Sequence, residues 1–190
     1  MKTFNLMSVL ATAMVILFSS CSKEDSPVTT PDPIKAFTTP QDTITNFYVF
    51  FSDPVDSAAE VGAIEDPDGP GPKESSISGV ALKANTHYVV TFAMEDATNP
   101  EKTINIQNKI KTAGKEYKIC VSNPLDITVK AIDSDGLLPI GLVNDLHTTS
   151  TTGNSTINFS VKYQKDVKNG DCAPGILIYN CSIPVTVYNP

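Results

Sequence analysis

The chain has no arginine and no tryptophan, and it contains only two histidines among its 190 residues. All 14 basic residues are therefore lysines, and 21 acidic residues outnumber them, which gives a formal net charge of −7. A net-acidic chain without guanidinium groups lacks the usual means of binding nucleic acid. A chain without tryptophan also lacks the preferred stacking platform for sugars. Because both histidines lie far from the cysteines in sequence, a zinc site with finger-like ligand spacing is excluded.

The first twenty residues have the pattern of a signal peptide. Lys2 supplies a positive charge, and residues 4–18 form an apolar run that is short for a bilayer span but suits a signal-peptide core. Residues 17–21 read Leu-Phe-Ser-Ser-Cys, which resembles a relaxed lipobox of Bacteroidota, although Phe18 stands where an aliphatic residue is usual. The resemblance implies cleavage before Cys21 and acylation of its thiol, which anchors a protein stably once two or three chains are attached. The alternative is an ordinary secretory peptide cleaved at the same place.

A charged segment and a proline-rich segment follow the lipobox. Lys23, Glu24 and Asp25 resemble the signal that exports Bacteroidota lipoproteins to the cell surface; the alternative is a charged linker on a protein that faces the periplasm. Residues 26–40 are rich in Pro, Thr, Ser and Asp and have no apolar period, which is typical of a flexible tether. We therefore predict a lipoprotein signal peptide at 1–20, a tether at 21–40 and one folded domain at 41–190.

The folded domain is predicted to be all-β. Residues 46–52 form an aromatic and β-branched run, and residues 86–95 show the clearest two-residue alternation of apolar side chains. Residues 101–113 fit neither period well, and we predict a short helix there, with a strand as the alternative. Seven or eight short strands separated by turn residues favour an immunoglobulin-like antiparallel β-sandwich. The remaining predicted strands are 75–82, 116–121, 125–132, 155–164 and 175–188.

Several turn and strand segments of the domain resemble a known family. They are Asp66-Pro67-Asp68-Gly69-Pro70-Gly71, residues 82–88, residues 125–129, Asp133-Ser134-Asp135-Gly136, residues 161–165 and residues 169–175. Together they resemble small Bacteroidota outer-membrane lipoproteins of poorly defined function, whose genes often accompany TonB-dependent receptors. The resemblance covers residues 41–188 and implies a fold, a lipid anchor and a receptor neighbourhood, but no catalytic residues. The chain departs from the family at residues 176–179, which are apolar where an acidic hairpin is expected.

The cysteines suggest one disulfide. With Cys21 acylated, Cys120, Cys172 and Cys181 remain in an oxidising compartment, which permits one pair and one free thiol. We favour a Cys172–Cys181 disulfide, because Cys172 lies in a predicted loop close to Cys181, while Cys120 has the sequence context of a small buried apolar residue. A Cys120–Cys181 bridge between sheets is the alternative.

Two loops contain the Asp-x-Asp-Gly pattern that begins many calcium-binding loops. The weak candidate ligands are Asp66 and Asp68 in one loop, and Asp133 and Asp135 in the other. Neither loop has the glutamate that closes an EF-hand twelve-residue loop. Asp and Gly are also common hairpin-turn residues, and we therefore favour a turn over a metal site.

The two histidines are weak candidates for ligands of haem or a metal ion. His87 lies in a predicted strand on the face opposite Tyr88, and we expect it to point to solvent or to a neighbour in the sheet. His147 lies in the polar run 144–154, which we predict to be a loop. The ordinary interpretation of each is a surface polar residue, so we expect no resident cofactor.

The sequence lacks the patterns of common catalytic sites. It has no Gly-x-Ser-x-Gly, no phosphate-binding Gly-x-x-x-x-Gly-Lys and no His-Glu-x-x-His. We expect a non-catalytic binding or accessory protein of the outer membrane that serves a TonB-dependent receptor for iron or haem. Loops 66–72 and 144–153 are the expected contact surfaces. A surface adhesion or envelope-interaction protein is the alternative, and an enzyme is the least favoured class.

Overall fold

The computed structural model describes residues 43–66, 68–69, 72–122 and 126–190. The predicted signal peptide, Cys21, the export signal at Lys23, Glu24 and Asp25, and the tether all lie outside the described residues. The described residues belong to one compact unit. No helix in these ranges is both long enough and apolar enough to cross a membrane.

The described residues form eleven strands and one α-helix. The first strand, β1, coincides with the aromatic run predicted from the sequence and ends before Asp53-Pro54. In chain order the elements are β1 Asn46–Ser52, β2 Ala59–Glu65, β3 Ser76–Ser78, β4 Val80–Lys83, β5 His87–Asp96, β6 Ile104–Asn105, α1 Ile106–Thr112, a 3-10 turn at Gly114–Glu116, β7 Tyr117–Ser122, β8 Thr128–Ala131, β9 Val143–His147, β10 Gly153–Tyr163 and β11 Ile176–Tyr188.

The strands form two sheets that pack as a sandwich, as predicted. The larger sheet has the order β3-β2-β1-β5-β9-β8, with β6 paired to the end of β5. The smaller sheet has the order β4-β11-β10-β7. All pairings are antiparallel except that of β4 with β11, which is parallel.

The core lies between the sheets and is centred on aromatic side chains. Phe47 of β1 lies 5.6 Å, between ring centroids, from each of Phe92, Phe159 and Tyr179, which come from both sheets. Phe92 and Phe159 also meet edge to face at 5.5 Å. Alternation along each strand directs these side chains inward, and the outward side chains are left free to form a surface.

Residues 75–82, which we predicted as one strand, are two strands in different sheets. The chain passes from β3 in the larger sheet to β4 in the smaller sheet at Gly79. A Cβ atom at Gly79 would lie 2.7 Å from the carbonyl oxygen of Pro184 in β11. Glycine therefore permits the close approach at which the chain changes sheets.

The short helix predicted within residues 101–113 is confirmed as α1. The Asn105 side chain caps its first turn by accepting a hydrogen bond from the Asn108 backbone N–H at 2.8 Å. Ile106 and Ile110 lie on one face and are buried, which fixes the helix against the sandwich.

Candidate functional site

The two histidines face each other across two neighbouring strands. His87 at the start of β5 is paired in register with His147 at the end of β9. Tyr88 and Leu146, their neighbours in the chain, point into the core, and both histidines therefore point outward. The imidazole rings stack with centroids 4.5 Å apart and an angle of 24° between their planes. The outward orientation of His87 agrees with our prediction, but placing His147 in a loop was wrong.

Asp145 completes a cluster with these histidines. It lies two residues before His147 on β9 and therefore on the same face of the sheet. One carboxylate oxygen contacts Nε2 of His87, and the other lies 3.3 Å from Nε2 of His147. The hydrogen bond to His87 is the main cause that lowers the pKa of Asp145. We call these three residues the His–Asp–His cluster.

The cluster is accessible from solvent and is supported by interior strands. The exposed side-chain fractions are 39% for His87, 30% for Asp145 and 54% for His147. The two strands that carry the cluster, β5 and β9, pair with each other. Strand β5 also pairs with β1, and β9 also pairs with β8, so neither strand lies at the edge of the sheet. One potential ligand atom from each of the three side chains, an imidazole nitrogen or a carboxylate oxygen, lies within 4.8 Å of the other two. Among the described residues, this is the one group of three or more metal-ligating side chains gathered so closely.

The loop with Asp133 and Asp135 uses its carboxylates to hold itself together. Asp133 accepts hydrogen bonds from the backbone N–H groups of Gly141 and Leu142. Asp135 accepts from the N–H groups of the two leucines that follow Gly136 and forms a 2.7 Å ion pair with the buried Lys168. The backbone hydrogen bonds and the lysine together hold the pKa of Asp135 well below its usual range. The two carboxylates of this loop therefore already have partners within the protein.

The loop with Asp66 and Asp68 is described only in part. Asp68 accepts a hydrogen bond of 3.3 Å from the Lys73 backbone N–H, and Gly69 adopts a left-handed backbone with φ of 66°. One carboxylate oxygen of Asp66 and one of Asp68 are buried without a hydrogen-bond partner. The structure does not bring a third metal-ligating residue to them within the described ranges.

The disulfide joins Cys120 to Cys172, and the predicted Cys172–Cys181 pair is wrong. Cys120 lies opposite Ser160 on the outward face of the smaller sheet, where Cys172 approaches it with a Cα–Cα distance of 5.9 Å. Cys181 lies opposite Phe159 on the inward face and is a free, buried thiol. Sequence proximity favoured Cys181, but the two-residue alternation of β11 points its thiol into the core, away from the loop that carries Cys172.

A cleft of about 700 Å³ lies beside α1, the 3-10 turn and residues 133–143. Lys111, Lys115 and Gln107 line it together with Asp133 and Asp135. Glu116, Thr112 and Ser134 also line it, so the cleft presents groups of both charges and carries no clear preference for a ligand. Sequence reasoning did not identify this cleft, since no short motif links its residues.

Comparisons of the chain with protein-family models, curated proteins and solved structures found no match.

Proposed function

We propose that the protein is a non-catalytic binding or accessory module of the bacterial outer membrane, anchored by lipid on Cys21. In this proposal the protein serves a TonB-dependent receptor that takes up iron or haem. The anchored domain is exposed at the cell surface. The observation that carries the binding role is the His–Asp–His cluster, which gathers both histidines of the chain on an accessible sheet face. Convergent titratable side chains at an accessible position are a recognised mark of a candidate binding site.

The arrangement of the strands supports a rigid display module. In the larger sheet, the order β5-β9-β8 corresponds to strands B, E and D of an immunoglobulin-like sandwich. In the smaller sheet, the order β11-β10-β7 corresponds to strands G, F and C. We propose this finer fold identity together with the function. Such a framework holds surface groups in fixed positions, while the loops that join its strands contact partners.

A surface adhesion or envelope-interaction role is the second candidate. It is favoured by β3, which among the described strands pairs only with β2 and whose three residues are all exposed. An exposed edge strand offers unpaired backbone groups to a strand of another protein. In this alternative the partner binds along β3 and does not depend on the histidines.

Metabolic labelling with palmitate tests the anchor. We expect the wild-type chain to incorporate label in its native host and the Cys21→Ser variant to incorporate none. An unlabelled wild-type chain would contradict the anchored part of the proposal.

Protease treatment of intact cells tests the location. The wild-type domain should be digested, whereas a variant with Lys23, Glu24 and Asp25 all changed to Ala should be protected. A wild-type domain that survives would place the protein on the periplasmic face.

Affinity purification from detergent-solubilised membranes tests the partner. The accessory role predicts a large barrel protein in amounts comparable to the tagged chain. Recovery of the chain without a barrel, together with loss of cell attachment on deletion, would favour the adhesion alternative.

A further inference from the structure

We infer that the His–Asp–His cluster binds one divalent transition-metal ion, with Zn²⁺ as the representative ligand. The proposed ligands are Nε2 of His87, Nε2 of His147 and the carboxylate of Asp145, with water at the remaining position. The inference rests on the binding role proposed for this cluster and names its class of ligand, but it depends neither on a lipid anchor nor on a receptor.

The chemistry of the donors selects the class of ion. Imidazole nitrogens suit zinc, copper, nickel and iron, and two imidazoles with one carboxylate are a recurrent set for ions that keep an open position. Calcium takes six to eight oxygen ligands, which this face does not supply. The residues paired with the cluster on the same face are Val89, Thr128 and Lys130, and none of them adds a second carboxylate.

The three side chains must rotate to bring their ligand atoms to the spacing of a bound ion. Tetrahedral zinc with bonds of about 2.1 Å places its ligand atoms roughly 3.4 Å apart. One potential ligand atom from each side chain already lies within 4.8 Å of the other two, and the carboxylate is placed between the two imidazoles. The backbones that carry them belong to directly paired strands, so the Cα positions of the three residues are fixed before an ion arrives.

The same geometry favours a bare ion over haem bound by both histidines. Two imidazoles that ligate one haem iron approach it from opposite faces of the porphyrin. His87 and His147 stack directly at 4.5 Å, which leaves no room for a porphyrin between the rings.

A calorimetric titration with Zn²⁺ tests the inference. The full chain is purified in detergent, with Cys21→Ser in every sample so that this thiol does not bind metal; the chain with no further change is called the wild type in these zinc tests. We expect one zinc ion per wild-type chain, and affinity lowered by roughly 100-fold or more in His87→Gln, His147→Gln and Asp145→Asn, because even indirect changes to metal sites lower affinity about 10–100-fold. Asp56→Asn is the matched control, since this exposed carboxylate pairs with Lys83; it should bind zinc like the wild type.

A second measurement uses only the wild-type chain and does not depend on the folding of variants. Diethylpyrocarbonate modifies accessible neutral imidazoles, and the chain has only two. Zinc should protect both, and Co²⁺ in its place should produce visible absorption bands of a nitrogen- and oxygen-ligated ion.

Equal zinc binding by the wild type and the double variant His87→Gln/His147→Gln would overturn the inference. Modification of both imidazoles by diethylpyrocarbonate at saturating zinc would also overturn the inference. A strong Soret shift with haem from a chain that binds no zinc would overturn it too. Failure of palmitate labelling would leave these results unchanged, so the anchor and the metal site are refuted separately.

Discussion

Removing the Cys120–Cys172 disulfide should destabilise the domain substantially. The bond links residues that are 52 positions apart, whereas the alternative Cys172–Cys181 bond would close a loop of about ten residues. The chain-entropy relation gives about 4 kcal/mol for a loop of this length. That is a large fraction of the roughly 5–15 kcal/mol by which most domains are stable. The variant Cys120→Ser/Cys172→Ser should therefore unfold far more readily than the wild type.

Urea and thermal unfolding measure this effect. A loss of about 4 kcal/mol corresponds to a fall in Tm of roughly 8–16 °C for a domain of this size. Cys181→Ala is the control, because it changes a buried cysteine but retains the bond; we expect it to lose only about 1 kcal/mol. Burial raises the pKa of the Cys181 thiol to about 12, so this thiol should react with iodoacetamide only after unfolding.

Peptide mapping of the unreduced protein tests which cysteines are paired. Trypsin should release residues 119–130 linked to residues 169–190, and further cleavage after Tyr179 should leave the link on the piece that contains Cys172. Release of residues 119–130 as a free peptide would show that Cys120 is unpaired. A link to the piece that contains Cys181 would mean that the strand faces assigned here are wrong.

The remaining predictions concern stability. Phe47→Ala should lower the free energy of unfolding by about 3–5 kcal/mol, because it opens a cavity among core aromatic rings. Phe50→Ala, on the outward face of the same strand, should lower it by about 1 kcal/mol. Urea unfolding of the two variants measures the difference. Folding lowers the pKa of Asp135, so the stability that its carboxylate contributes is present above about pH 4 and is lost as the pH falls. Asp135→Asn should lower the free energy of unfolding by about 3 kcal/mol at pH 7. The free energy of unfolding of this variant should then fall less steeply than that of the wild type below about pH 4. Gly141→Ala should lower the free energy of unfolding by more than about 2 kcal/mol, because φ at this position is 91° and the new Cβ would collide with the Ile119 carbonyl oxygen. Thermal unfolding measures the loss, and stability equal to the wild type would contradict this backbone geometry.

Strands with a clear apolar alternation could be predicted from the sequence, and those with polar core residues could not. The pattern of β5, with four inward apolar side chains, was sufficient to identify that strand. Strand β9 was missed because one of its two buried residues is Asn144, whose side chain donates to the Gly141 carbonyl at 2.8 Å. A hydrogen-bonded amide in the core interrupts the alternation of apolar and polar residues, so the hydropathy pattern does not identify the strand.

The candidate site could be predicted only as separate residues. His87 and His147 were identified as candidate ligands, but nothing local shows that they share one pair position between β5 and β9. Asp145 was missed because its role depends on the face that β9 presents outward. The disulfide was predicted wrongly for a related reason, since strand faces and not sequence distance decide which thiols meet.

The most direct test of the account is the proximity of the two histidine rings in solution. The chain has only these two histidines, so their ring protons can be assigned by comparing the NMR spectra of the wild type and His147→Gln. With ring centroids 4.5 Å apart, a strong nuclear Overhauser effect is expected between the imidazoles of His87 and His147. Two assigned imidazoles with no such cross-peak would show that the rings do not lie together, and the proposed His–Asp–His binding site would not exist.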